Sequence, residues 1–145
     1  MQELYGNDEI AIDLMLNAQV WAVVGLGNDT SRAAYGVARF LQSKGKKIVP
    51  IHPRGESVLG ETGFTSLAEA KAAVGQIDVV DCFVASKRVG EIVQQAIDLK
   101  LPAVWLQLEV VDEVKAALAI EHGLKVIMNR CPAIEWPRLM VGREL

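Results

Sequence analysis

Short, continuous apolar runs alternate along the chain with longer segments whose apolar residues recur every three or four positions. Continuous apolar runs are typical of parallel β-strands covered on both faces, because neither side of such a strand meets water. Five runs fit this description, at residues 20–24, 47–51, 78–84, 103–108 and 125–128. The pattern therefore predicts a sheet of about five parallel strands.

The segments between the runs have helical periodicity. Ala34, Val37, Ala38 and Leu41, for example, share one face of a helix. Helices are predicted at 31–43, 66–73, 87–99 and 112–122, with a first helix that Asn7 or Asp8 caps and one or two helical turns after Pro132. This alternation predicts one doubly wound, Rossmann-like α/β domain over residues 1–145, with helices on both faces, an N-terminal helix in 1–18 and a core in 18–135.

Composition narrows the possible functions. The chain has 145 residues, is 51% hydrophobic and carries a net charge of −3, which suits one globular core and disfavours a broad nucleic-acid interface. No apolar run is long enough to cross a bilayer, and no secretory leader is recognisable. Cys82 and Cys131 form no close pair, so free thiols and a cytoplasmic location are expected, with neither nucleic acid nor membrane as a partner.

The loop after the first strand carries the strongest functional signal. Gly25 and Gly27 allow a sharp turn and close approach to a ligand, and the start of the next helix can hold phosphate. The third Gly of a dinucleotide fingerprint is replaced by Thr30, so a tight turn alone remains an alternative. The candidate ligand contacts of this loop are Gly25, Leu26, Gly27, Asn28, Ser31 and Arg32.

The second strand ends in His52-Pro53-Arg54, where NAD-binding domains place a carboxylate for the ribose diol. A cation at this position favours a nucleotide with an additional phosphate, and Arg54 is the expected contact. His52 is either a ligand contact or an ordinary loop histidine.

Further cations follow the other strands. Lys87 and Arg88, preceded by the polar Ser86, follow the third strand, and Arg130 follows the fifth. Together they predict an anionic ligand at the carboxyl edge of the sheet. Arg32 and Lys87 could instead be ordinary surface charges. The basic run 44–47 lies at the opposite edge and is interpreted as a solvated turn.

No catalytic pattern accompanies these residues. The chain has neither a GxSxG elbow nor a Walker A loop, and no nucleophile has an evident base. Cys131 is either a buried small hydrophobe or a thiol that forms a mixed disulfide with its ligand. Binding without catalysis is therefore the simplest expectation.

Several blocks, taken together, resemble small bacterial coenzyme A (CoA)-binding proteins, the free-standing form of the CoA-binding domain of the succinyl-CoA synthetase α subunit. The blocks are Val23-Val24-Gly25-Leu26, Val49-Pro50-Ile51-His52-Pro53, Gly55, Leu59-Gly60, Asp78-Val79-Val80-Asp81-Cys82-Phe83, Val104-Trp105-Leu106-Gln107-Leu108 and Asn129-Arg130-Cys131-Pro132. The resemblance implies a Rossmann-type domain that holds CoA by its nucleotide part. It implies phosphate contacts at residues 25–32, adenosine and 3′-phosphate contacts at 50–54, and contacts from Val84, Ser86 and Lys87.

The chain departs from that family at two places, and neither His52 nor His122 matches the synthetase's phosphorylated histidine in position, so a phosphohistidine domain is not expected. Many relatives have Asn where His52 stands, and an Arg-Pro pair where this chain has Val84-Ala85-Ser86. We therefore expect binding of CoA or an acyl-CoA without ligase activity. The alternatives are an NADP-dependent oxidoreductase, for which Arg54 would suit the 2′-phosphate, and a regulatory subunit that needs a protein partner. A homodimer is also possible.

Overall fold

The computed structural model describes residues 3–143 and contains five strands and six helices in that range. The helices are α1 (Asp8–Asn17), α2 (Ala33–Ser43), α3 (Leu67–Val74), α4 (Ser86–Asp98), α5 (Glu113–Glu121) and α6 (Pro132–Leu139). The strands are β1 (Val20–Val24), β2 (Lys47–Ile51), β3 (Val79–Cys82), β4 (Ala103–Leu106) and β5 (Lys125–Ile127). The predicted alternation of strands and helices is confirmed.

The five strands form one parallel sheet in the order β2-β1-β3-β4-β5. The chain passes outward from β1 to β2 and then returns to β3 on the other side of β1. The gap between β1 and β3 is thus the topological switch point, where ligands bind in such folds. β3 and β4 end two residues earlier than predicted because their shared register stops at Cys82 and Leu106, and the chain then turns into the loops.

Helices cover both faces of the sheet. One buried cluster lies on the α3, α4 and α5 side, and a second lies on the α1, α2 and α6 side. The second contains Trp21 and Trp105, whose rings are 5.7 Å apart and whose side chains are fully buried. This two-sided cover explains why the strands are apolar throughout rather than alternating. No helix within residues 3–143 has the length and apolar character needed to span a membrane.

The interpretation of the basic run 44–47 as a solvated turn is wrong for one member. Lys47 is exposed, but Lys46 is only 7% exposed. Gly45 has a φ of +81° and turns the chain after α2, and Lys46 then lies beside the end of α1, where its Nζ is 3.5 Å from the Leu16 carbonyl oxygen. The position of α1 over this turn decides the burial, and the local sequence does not contain that information.

Candidate functional site

Two clefts open at the carboxyl edge of the sheet, one on each side of the loop that follows β1. The large cleft has a volume of about 370 Å³, and the small cleft has a volume of about 170 Å³. The large cleft is lined by residues 32–34, 83–85, 107–110 and Cys131. The small cleft is lined by Val24, Gly25, residues 51–53 and 65–67, Val84, Arg88, Ile92 and Gln95. Val84 lines both, so the two clefts adjoin at the switch point.

Gly25 fixes the turn between them. Its φ is +97°, and a Cβ at this position would lie 2.9 Å from the carbonyl oxygen of Phe83. Its N–H donates to the Ile51 carbonyl oxygen at 2.8 Å. Gly25 is therefore held between β2 and the end of β3, where no side chain fits. Leu26, also predicted to contact a ligand, is fully buried and packs in the core, so its side chain does not reach either cleft.

The rest of the loop is shaped by its own polar groups. Asn28 donates from its amide nitrogen to the Ser57 carbonyl oxygen at 2.9 Å. Asp29 Oδ1 accepts from the backbone N–H and the hydroxyl of Ser31, at 3.0 and 2.6 Å, and these bonds lower the pKa of the Asp29 carboxyl. The predicted contacts Asn28 and Ser31 thus remain exposed at the site, but the bonds that they make hold the loop.

The helices that follow β1 and β3 begin without a side-chain cap. Arg32 is the N-cap of α2 and Ala85 is the N-cap of α4, and neither side chain accepts a hydrogen bond from the first turn. Neither first turn contains an acid. Because the first N–H groups of a helix lack partners within it, both starts present donors and positive dipole ends. Residues 32–34 and 85 line the large cleft, so both starts can hold an anion there.

The link that follows β2 brings an acid, Glu56, to the loop after β1. His52 Nδ1 accepts from the Arg54 N–H at 3.2 Å, and the exposed Arg54 guanidinium lies 3.6 Å from Glu56 Oε1. The same Glu56 oxygen accepts from the Asn28 N–H at 3.3 Å. A carboxylate therefore lies beside the loop after β1, supplied by the link that follows β2 rather than by the end of the strand itself.

The folded form of the 54–64 link explains this position. A Cβ at Gly63 would lie only 1.9 Å from the Glu56 carbonyl oxygen. Only a glycine permits the link to fold back so closely on itself. The two glycines Gly55 and Gly63 were the available signal, but they do not say which side chain the folded link presents.

The residues after β3 divide between structural and cleft positions. Ser86 donates from its hydroxyl to the Glu109 carbonyl oxygen at 3.1 Å and accepts from the Val111 N–H at 2.9 Å, so it ties α4 to the loop after β4. Lys87 is exposed and lines neither cleft. Arg88, one of the cations expected at this edge but not one of the individual contacts predicted, lines the small cleft. Its helical spacing to Ile92 and Gln95, which line the same cleft, could have identified it.

Arg130 was predicted to contact the ligand, but its guanidinium forms ion pairs with two carboxylates instead. Its Nη1 lies 2.9 Å from Asp8 Oδ1 and 3.6 Å from Glu135 Oε1. Asp8 also pairs with Arg138 at 2.9 Å, and hydrogen bonds from both guanidinium groups lower the pKa of the Asp8 carboxyl. Arg130 thus joins α1 to α6 and lies outside both clefts. One of these acids, Glu135, is five residues further along the chain, but Asp8 is 122 positions away in the sequence.

The neighbours of Arg130 do reach the large cleft. Cys131 lines it, and Asn129 Oδ1 accepts from the Glu109 N–H at 2.6 Å. Glu109 and Asn129 have φ values of +66° and +62°, a conformation that non-glycine residues rarely adopt. Strained backbone of this kind clusters at binding sites, where the surrounding structure maintains it.

A buried, uncharged polar pair underlies the large cleft. Gln107, which lines the cleft, donates from Nε2 to Asp81 Oδ1 at 2.5 Å. Asp81 is fully buried, and its Oδ2 has no partner among residues 3–143. Burial raises the pKa of Asp81 to about 8, and it also raises the pKa of the Cys131 thiol. Near neutral pH the carboxyl is mainly protonated and the thiol is not a thiolate.

Comparisons with known proteins agree with this geometry. Residues 19–137 match a family described as the CoA binding domain. The uncharacterized protein YneT of Bacillus subtilis (strain 168) is 31% identical over 110 residues, covering 76% of this chain and 79% of YneT. A hypothetical protein from Pyrococcus horikoshii OT3 superposes with a TM-score of 0.85 at 30% identity, covering 97% of this chain and 96% of that one. A Thermus thermophilus protein superposes with a TM-score of 0.79 at 28% identity, covering 92% and 98%. The chain belongs to the CoA binding domain family.

Proposed function

We propose that this protein binds CoA across the loop after β1 and performs no chemistry on it. The observation that carries the proposal is the pair of adjoining clefts, with the uncapped starts of α2 and α4 beside them. In this arrangement the adenosine occupies the small cleft and the pantetheine arm occupies the large one. The family to which the chain belongs supports the choice of ligand.

The charges suit the three phosphates of CoA. The diphosphate lies at the start of α2, where Arg32 and the first N–H groups of the helix meet it. The 3′-phosphate lies near Arg54 and Arg88, at the mouth of the small cleft. The exposed Arg54–Glu56 pair is separated by 3.6 Å and contributes little by itself, so a phosphate can replace Glu56 as the partner of Arg54.

The absence of catalysis is part of the proposal. The groups nearest the thiol end of the ligand would be Gln107, Asp81 and Cys131. Burial favours the uncharged forms of Asp81 and Cys131, so neither is a ready nucleophile at neutral pH. A binding protein needs only what this site offers, namely two clefts and anion-binding helix starts. A free or acylated thiol end is compatible with this site.

The test is a thermal-unfolding titration with CoA, dephospho-CoA, NADP and NAD. A ligand that binds the folded state raises the melting temperature as its concentration increases. We expect CoA to stabilise the protein most and dephospho-CoA to bind more weakly, because it lacks the 3′-phosphate. Arg32→Gln should weaken CoA binding by about tenfold, since one charge-assisted contact is lost. The exposed Arg39 of α2 lines neither cleft, and Arg39→Gln is the matched control.

The same titration decides the alternative of an NADP- or NAD-linked protein. One observation favours that alternative, because Glu56 places a carboxylate beside the glycine loop, as a ribose diol requires. Stabilisation by NAD or NADP without a response to CoA would overturn the proposal and support the alternative. If none of the four ligands binds, the proposal also fails.

A further inference from the structure

The turn after β4 carries an exposed leucine at the end of the large cleft that is opposite α2. Leu108 is 50% exposed and lines this cleft, whose other lining residues include 32–34 at the start of α2. In the sheet order β4 is two strands from β1, so the ends of these two strands are roughly 10 Å apart. A pantetheine arm that leaves a diphosphate at α2 and follows the cleft therefore brings its thiol end to this turn.

The conformation of the turn is strained, and hydrogen bonds maintain it. A backbone hydrogen bond of 2.9 Å joins its two ends and closes the turn over residues 107–110. Glu109, its third residue, has a φ of +66°, where glycine is usual. The Glu109 N–H donates to Asn129 Oδ1 at 2.6 Å, and its carbonyl oxygen accepts from the Ser86 hydroxyl at 3.1 Å. The backbone of Leu108 is thus held in place beside the cleft.

The surroundings of Leu108 within the cleft are mainly apolar. A single exposed leucine needs no explanation by itself. This leucine, however, lines the same cleft as Phe83, Val84 and Val110, all of which are partly exposed. An apolar group on the ligand would bury this surface, and each buried methylene strengthens binding by about fourfold. The thiol end of the arm therefore lies where an apolar extension of the ligand would increase affinity.

The charges that line the cleft lie at its two ends. Among residues 3–143, Arg32 is the one cation that lines it, and it lies at the start of α2. Glu109 is the one acid that lines it in the same part of the chain, and it lies on the turn after β4. A carboxylate carried to that end by the ligand would meet a like charge without a cation to balance it. The turn thus favours an uncharged extension over an acidic one.

We propose that the ligand is a CoA thioester with a short, uncharged acyl group, which Leu108 covers, and that Glu109 disfavours acyl groups that end in a carboxylate. This inference rests on the proposed function, because it needs the pantetheine arm in the large cleft. The acyl group is short because the cleft of about 370 Å³ must also hold that arm. The uncharged pair of Gln107 and Asp81 beneath the cleft offers no ready nucleophile to a thioester.

The experiment compares CoA, butyryl-CoA and succinyl-CoA by isothermal titration calorimetry. The two acyl groups have the same number of carbon atoms, but succinyl ends in a carboxylate where butyryl ends in a methyl group. We expect butyryl-CoA to bind about tenfold more tightly than CoA, because its chain buries apolar surface. Its heat capacity change on binding should also be more negative. Succinyl-CoA should bind no more tightly than CoA.

Three variants assign these preferences to residues. Leu108→Ala, at a half-exposed position, should reduce the preference for butyryl-CoA over CoA to about threefold or less. Glu109→Gln keeps the shape of the side chain, removes its charge and should raise the affinity for succinyl-CoA relative to CoA. Val114 of α5 is also exposed but lines neither cleft, so Val114→Ala is the matched control and should retain the wild-type preferences.

The outcomes separate this inference from the proposed function. If the wild type binds CoA, butyryl-CoA and succinyl-CoA equally, the proposed function stands and this inference fails. It also fails if Leu108→Ala weakens the binding of all three ligands by the same factor, because Leu108 would then contact the pantetheine arm rather than the acyl group. If the wild type binds none of the three, the proposed function fails and this inference fails with it.

Discussion

The helices that follow β1 and β3 begin differently from those that follow β2 and β4, although all four begin at the same edge of the sheet. Ser66 caps α3 by accepting from the Glu69 N–H, and Asp112 caps α5 by accepting from the Lys115 N–H. Both of those first turns contain an acid. α2 and α4 have neither feature. The two helices that start away from the switch point are therefore capped by a side chain. The two that start beside it, α2 and α4, are not, and we call their starts open.

This difference indicates which helix starts contribute to stability and which remain available to bind an anion. A side-chain cap is worth about 1 kcal/mol, so the two open starts forgo stability that this chain obtains elsewhere. An open start keeps its N–H groups and its dipole available to an anion. α6 also lacks a side-chain cap, but Pro132 in its first turn has no N–H, and Glu135 adds an acid there. The open starts of α2 and α4 therefore lie at the edge where we propose that CoA binds.

The largest predicted effect concerns Asp81, which is buried beneath the large cleft that the open start of α2 borders and is bonded to the cleft residue Gln107. Burial raises the pKa of Asp81 to about 8. The folded protein then holds a proton that the unfolded chain releases near pH 4, so stability should fall as the pH rises from about 4 to about 8. The slope should approach about 1.4 kcal/mol per pH unit, measured by urea unfolding.

Asp81→Asn is the matched variant, because its side chain cannot titrate. In this variant the free energy of unfolding should depend much less on pH than it does in the wild type. Stability of the wild type that stays level or rises between pH 5 and pH 8 would show that Asp81 is ionised in the folded state, and the uncharged pair assigned to the floor of the large cleft would then be wrong.

The next effect concerns the turn that leads into the open start of α2. Gly25→Ala should cost about 2 kcal/mol or more, because the residue has a φ of +97° and its Cβ would lie 2.9 Å from a carbonyl oxygen. CoA binding should be lost with it, since the turn positions both clefts. Urea unfolding and the CoA titration measure the two effects.

Gly36→Ala is the control for that substitution. Gly36 lies inside α2, and a Cβ there meets nothing within 4 Å. It should stabilise the protein by about 0.5–1 kcal/mol, because alanine is the better helix former, and CoA affinity should not change. Equal effects of the two substitutions would remove the special role assigned to the turn.

The smallest predicted effects come from adding a side-chain cap to α4 and removing the cap of α5. Ala85→Asp gives α4 the cap that it lacks and should stabilise the protein by about 0.5–1 kcal/mol, while it weakens CoA binding by adding an acid to the cleft. Asp112→Ala opens the start of α5 and should cost about 1 kcal/mol without a change in CoA affinity. If Ala85→Asp leaves CoA affinity unchanged, α4 does not contribute to the site.

Local patterns in the sequence determined the elements of this protein and the position of its main turn. The apolar runs identified five strands because strands buried on both faces cannot carry regularly alternating polar residues. Gly25 identified the turn because its backbone conformation is costly for other residues. These features depend on neighbours along the chain, which a sequence displays directly.

Only the tertiary structure decided which charges lie at the two clefts. Arg130 follows a strand like the other predicted contacts, yet Asp8 and Glu135 hold it outside the clefts. Glu56 reaches the loop after β1 because the link after β2 folds back, and Lys46 is buried because α1 lies over it. The long side chains of Arg, Lys and Glu reach several ångströms from the backbone. Their partners therefore depend on which distant elements pack nearby, and no local pattern records that.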